Sequence, residues 1–140
     1  WEGKRLPTQA EWEYAAAAAP VGMNRGARLT RMILAWYDHP NPAILPAVQS
    51  TYKNTYGLYD MHGLVWEWVD DFNGVMIQGD TGSGGTNVNS FFCAAGSLNS
   101  VNKEDYAAFM RFAFRQGLQA RYTIPSLGFR CAKDNESLMK

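Results

Sequence analysis

The chain has 140 residues, room for one domain and too few for two ordinary ones. Hydrophobic residues make up 46% and aromatic residues 14%, enough for a packed core and too much for a chain disordered over most of its length. Lys plus Arg and Asp plus Glu each number 13, so formal charge cancels; with the signs dispersed, no basic run exists to track nucleic acid or an anionic membrane.

No apolar stretch approaches the ~20 residues of a membrane-spanning helix, so no membrane span is expected. An opening at Trp1, without initiator Met or signal peptide, is what a segment of a longer parent chain gives, and it leaves the compartment open. Two cysteines, Cys93 and Cys131, are too few for a disulfide-stapled scaffold or a cysteine-only zinc site.

Taken in chain order, Thr8-Gln9-Ala10-Glu11 reads as a capping box, in which Thr8 and Glu11 satisfy each other's backbone N–H. The helix it opens should continue through Trp12, Glu13, Tyr14 and the alanines and stop at Pro20. From residue 21 to 56, Pro40, Pro42 and Pro46 interrupt any periodicity, and a long loop with little regular structure is expected. Val65-Trp66-Glu67-Trp68-Val69 alternates as a strand does, with both tryptophans on one face and Val65, Glu67 and Val69 on the other. An amphipathic strand must bury one face, which favours Trp66 and Trp68 as core aromatics. Residues 79–87 form a polar, glycine-rich connector that lacks the lysine of a phosphate-binding loop. Residues 90–95 have the length and apolarity of a short strand.

Asn102 suits an N-cap, Glu104 and Asp105 sit where the helix dipole favours acids, and Gly117 suits the position after a helix end, so residues 103–116 are predicted helical. Tyr106, Met110, Ala113 and Phe114, widened by Phe109 and Phe112, form the stripe expected to face the core. A last short strand spans 127–132, and a polar tail covers 134–140. Arg111, Arg115 and Arg130 stand in apolar company and should be ion-paired, with Glu13 and Glu67 as candidate partners. His39 and His62 read as exposed loop histidines, since no third histidine or paired cysteine lies near them in the sequence. No spacing brings a nucleophile and a base together on a predicted element.

Three stretches in this order resemble the formylglycine-generating enzyme family, also called the sulfatase-modifying-factor family. They are Gly3-Lys4-Arg5-Leu6-Pro7-Thr8-Gln9-Ala10-Glu11-Trp12-Glu13-Tyr14-Ala15-Ala16, then Tyr56-Gly57-Leu58-Tyr59-Asp60-Met61-His62-Gly63-Leu64-Val65-Trp66-Glu67-Trp68, and Leu127-Gly128-Phe129-Arg130-Cys131-Ala132. The match covers residues 1–133 and corresponds to the C-terminal part of the family domain. The resemblance implies an irregular, loop-rich α+β fold of C-type-lectin-like kind. It also implies copper- and oxygen-dependent oxidation of a sulfatase cysteine by two cysteines that follow a Gly-Gly-Ser motif. Here Ala95-Gly96-Ser97 stands at the motif, and a gapless count places the two cysteines at Ser100 and Asp105, neither of which is a thiolate for copper(I).

By the same resemblance, Asp60, Gly63, Val65 and Glu67 match a calcium site, two carboxylates and two carbonyls of the oxygen-only kind that calcium accepts. Trp66 and Ser97, with Ser100 beyond them, match positions lining a substrate groove. Cys131 matches a structural cysteine whose partner position is Ala16, so it should be a free buried thiol unless it bonds Cys93. The expected function is a calcium-braced, non-catalytic domain that binds a peptide, protein or small ligand. The alternative is an oxidase of the sulfatase-maturation type that works with copper at a non-standard site around Cys93. An extracytoplasmic setting is implied by family and by calcium.

Overall fold

The computed structural model describes residues 2–23, 27–72 and 103–134. Its first helix, α1 (Gln9–Ala16), starts at the expected capping box. Thr8 Oγ1 accepts from the Glu11 N–H at 3.3 Å, and Glu11 Oε2 accepts from the Thr8 N–H at 2.8 Å. Glu11 also receives both ends of the Arg5 guanidinium at 2.7 Å, and Arg5 reaches on to Asp134 at 2.6 Å. Arg5 and Ala132 exchange backbone hydrogen bonds at 3.0 and 2.8 Å, so the helix start is tied to the end of the described chain. The helix stops at its cap, Ala17, and the next alanines leave it before Pro20.

A second helix, α2 (Ala27–Tyr37), occupies the stretch expected to be loop. Leu29 and Ile33 are buried and Tyr37 half-buried, at positions i, i+4 and i+8, while Arg28 and Arg31 face solvent. The amphipathic pattern was present; the three prolines all lie beyond the helix end and interrupt nothing within it. The third helix, α3 (Lys103–Gln116), packs on α2, and Ala19, Leu29, Ile33 and Ala107 make one buried cluster between them. A second cluster, Trp12, Ala16, Met61 and Val69, sits under α1.

The face of α3 that turns inward is not the apolar stripe expected. Ala107, Arg111 and Arg115 are buried, whereas Ala113 is exposed and Met110, Phe112 and Phe114 are intermediate; the side chains of Tyr106 and Phe109 lie outside the described residues. The reason is Glu13 on α1, which supplies a carboxylate to both arginines and makes their burial tolerable.

Two short strands, β1 (Trp66–Glu67) and β2 (Leu127–Gly128), pair in parallel with Trp66 opposite Leu127 and Glu67 opposite Gly128. The ladder is shorter than the expected 65–69 and 127–132 strands. Its buried face carries Glu67, continued by Val69, while Trp66 and Trp68 are only half-buried, the reverse of the packing expected for the tryptophans. The expected strand at 90–95 lies outside the described residues. The architecture is thus mixed α/β, with three helices and a two-stranded sheet among the described residues.

Candidate functional site

Residues 59–67 reverse the chain ahead of β1 through three left-handed or near-left-handed backbones, Asp60 at φ 57°, Gly63 at φ 153° and Leu64 at φ 58°. Gly63 also presses on Thr51, whose Cγ2 would stand 2.5 Å from any added Cβ, so only glycine fits. The Asp60 carboxylate points back at the preceding loop. Its Oδ2 accepts from the Gln49 N–H at 2.6 Å, and its Oδ1 accepts from the Thr51 N–H at 2.9 Å and the Thr51 hydroxyl at 2.7 Å. Desolvation works against the charged form, but these donors outweigh it and hold Asp60 below the usual carboxylate range.

Glu67 is committed elsewhere. Arg130 forks onto it, Nε to Oε2 and Nη2 to Oε1, both at 2.6 Å, and Trp12 Nε1 donates to Oε2 at 2.7 Å. The same guanidinium lies 3.3 Å from the carbonyls of Tyr59 and Asp60. Gly63 O meanwhile accepts from the Val65 N–H at 2.8 Å. The fold therefore brings Asp60, Gly63, Val65 and Glu67 into one turn, but both carboxylates already carry donors and a cation already bridges Glu67 to the turn. An ion added at Glu67 would have to share that carboxylate with the guanidinium.

His62, expected at the surface, is 5% exposed. Its Nε2 lies 3.0 Å from Ala16 O, and since a carbonyl only accepts, the proton sits on Nε2; the ring stands edge-on to Trp12 at 5.7 Å. Desolvation first, and the Arg111 charge second, push its pKa down to about 4. Beside it, Glu13 takes Arg111 at 2.6 Å and Arg115 at 2.9 Å, and Arg115 lies 4.2 Å over the Trp12 ring. Burial opposes ionisation of Glu13, but the two arginines hold its pKa below the ordinary value.

On the other side of β1, aromatic rings meet in a continuous wall. Trp66 stacks on Phe114 with centroids 4.3 Å apart and on Tyr37 at 5.2 Å, and Trp36 packs on Tyr37 at 5.1 Å and on Trp66 at 5.2 Å. Trp36, Tyr37 and Trp66 floor a cleft of about 190 Å³ whose rim is His39, Pro40, Asn41 and Ser126. Asn41 Nδ2 donates to Leu64 O at 3.0 Å, fastening the rim to the turn. Trp36 and Tyr37 were missed from the sequence because their helix was missed; an aromatic pair closing an amphipathic stretch ahead of His39-Pro40 was the available signal.

The model of the sulfatase-modifying factor enzyme 1-like domain family matches residues 1–135. The chain belongs to this family. Among its curated relatives, the formylglycine-generating enzyme of Streptomyces coelicolor is 30% identical over 96% of this chain and 48% of its own length. The protein named serine/threonine-protein kinase pkn1 of Chlamydia pneumoniae is 31% identical over 96% of this chain and 22% of its own length. The inactive C-alpha-formylglycine-generating enzyme 2 of Bos taurus is 35% identical over 49% of this chain and 27% of its own length. The chain thus spans less than half the length of these relatives. No solved structure matches it.

Of the positions that family membership makes interesting, Trp66 is in the cleft floor. Cys93, Ser97 and Ser100 lie outside the described residues, as does the side chain of Asp105. Cys131 is a free thiol, and it is exposed rather than buried, because the chain beyond β2 runs along the surface. Among the described residues no helix is long and apolar enough to cross a membrane.

Proposed function

We propose that the chain is part of a non-catalytic formylglycine-generating-enzyme-type domain that binds an extended peptide against the Trp36–Tyr37–Trp66 wall. The observation that carries this reading is the cleft itself: three rings from α2 and β1, half-buried and pre-packed, beside the polar groups of His39, Asn41 and Ser126. Flat apolar faces ordered in advance, with a few polar groups at the edge, suit an extended chain at low entropic cost. The loss of chemistry is supported by the sequence, which has Ser100 and Asp105 where the resemblance puts the cysteine pair. Similarity to a relative named inactive agrees with it. The short sheet and long irregular connections support the C-type-lectin-like architecture that the resemblance implies.

The test uses the chain supplied with copper(I) and oxygen and a peptide carrying the sulfatase-type Cys-x-Pro-x-Arg motif. Tryptophan fluorescence should report binding, Trp66→Ala should weaken it by roughly tenfold or more, and mass spectrometry should show the peptide cysteine unchanged. Formation of an aldehyde would overturn the non-catalytic reading and turn attention to Cys93. Unaltered fluorescence at millimolar peptide would remove the peptide cleft.

A further inference from the structure

The turn ahead of β1 gathers oxygen atoms and then needs a positive charge to hold them. Glu67 is 8% exposed, and the carbonyls of Tyr59 and Asp60 face the same point from the start of the turn. A buried carboxylate with no cation beside it is strongly destabilising. The chain supplies that cation from its own far end. Parallel pairing sets Glu67 opposite Gly128, and Arg130, two residues further on, returns to the same side of the strand. Its planar head then does what a lysine ammonium cannot, closing a fork on both oxygens of Glu67 while its remaining N–H groups reach the two carbonyls. Asp60, the other acid of the turn, has both carboxylate oxygens engaged by donors from Gln49 and Thr51.

We infer that Arg130 is the resident cation of this turn, engaging through Glu67 one of the four positions that the family resemblance assigns to calcium, so that the domain folds without calcium and depends on the guanidinium. The inference does not rest on the ligand-binding reading, since it concerns the opposite side of β1 and no part of the cleft floor. An ion bound through Glu67 would have to displace a bidentate, three-quarters-covered guanidinium and leave that charge unpaired.

The whole chain is melted in EGTA and again in millimolar calcium, with terbium luminescence as a second readout, because Trp12 touches Glu67 and would sensitise an ion held there. The two melting midpoints should agree to within about 1 °C, and terbium should give no saturable emission. A calcium-raised midpoint or a saturable terbium signal, either of them abolished in Glu67→Gln, would overturn the inference. Arg130→Gln should melt lower by roughly 10 °C and Arg130→Lys should recover less than half of that, since a lysine cannot fork. An Arg130→Gln protein that melts with the wild type would also overturn it. If that variant fails to fold, dependence on the guanidinium is upheld, and the wild-type calcium titration still decides the other half.

Discussion

At the scale of single residues, His62 is the sharpest case of burial setting chemistry. Its Nε2–H is used by Ala16 O, while Nδ1 is buried without a partner, so protonation would place a second N–H and a charge where nothing accepts either. The charges facing it are Arg111 and Arg115, which repel a proton, and Glu13, which attracts one but is occupied by both arginines. The folded pKa of about 4 lies below the unfolded value of about 6.5, so between them the unfolded chain binds more protons. Stability should therefore be fully present above pH 6.5 and fall as pH drops toward 4, by about 3 kcal/mol over the window. Glu13, whose pKa is lowered, and Asp60, likewise lowered, contribute losses only below their ordinary values near 4.5 and 3.8, so the interval from 4.5 to 6.5 isolates the imidazole. Chemical denaturation across that interval should slope in the wild type and flatten in His62→Gln, which keeps a donor for Ala16 O. Equal slopes in the two proteins would refute the assignment. Nothing in the sequence marked His62 as buried, because its neighbours Met61 and Gly63 belong to a turn whose depth is set by Trp12 and Ala16, more than forty residues earlier.

At the scale of elements, legibility followed whether the signal was local. The start of α1 was readable because a capping box is a four-residue interaction, and the ion pairs of Arg111, Arg115 and Arg130 were readable because buried arginines must find carboxylates. The helix α2 was missed because it has no acidic first turn and because prolines beyond its end dominated the reading of the whole 21–56 stretch. The inward face of α3 was misread because apolar periodicity alone cannot anticipate a carboxylate arriving from another helix. Leu29 and Met32 separate the two faces of α2: Leu29 is 6% exposed within the cluster of Ala19, Ile33 and Ala107, and Met32 is 37% exposed. Leu29→Ala should cost about 2–5 kcal/mol by urea unfolding and Met32→Ala about 0.5 kcal/mol or less. Comparable losses at the two positions would mean that α2 is not seated on α3 by this face.

At the scale of the whole molecule, ion pairs join described parts that lie far apart in sequence. Glu13 on α1 fastens α3 through Arg111 and Arg115, Arg111 reaches Tyr37 at the end of α2 at 3.2 Å, and Arg130 fastens β2 to β1. The first of these networks holds two guanidinium groups against one carboxylate. The surplus charge is eased by the face of Trp12 beneath Arg115 and the hydroxyl of Tyr37 beside Arg111. Burial, outweighing Glu13, pulls the Arg115 pKa below its ordinary value, whereas Arg111, buried but better hydrogen-bonded to Glu13, is raised. Arg115 is thus the member whose charge is worse supported. Glu13→Gln should cost about 3–5 kcal/mol, since it strands both guanidinium groups in the interior. Arg115→Met should cost the wild type measurably, through loss of its contacts with Glu13 and Trp12. In the Glu13→Gln background the same change should cost less, or even restore stability, because it removes one of two like charges left without a counterion. A double-mutant cycle measured by urea unfolding should give a coupling of about 1 kcal/mol or more, whereas additivity within about 0.5 kcal/mol would show that the arginines do not share the carboxylate.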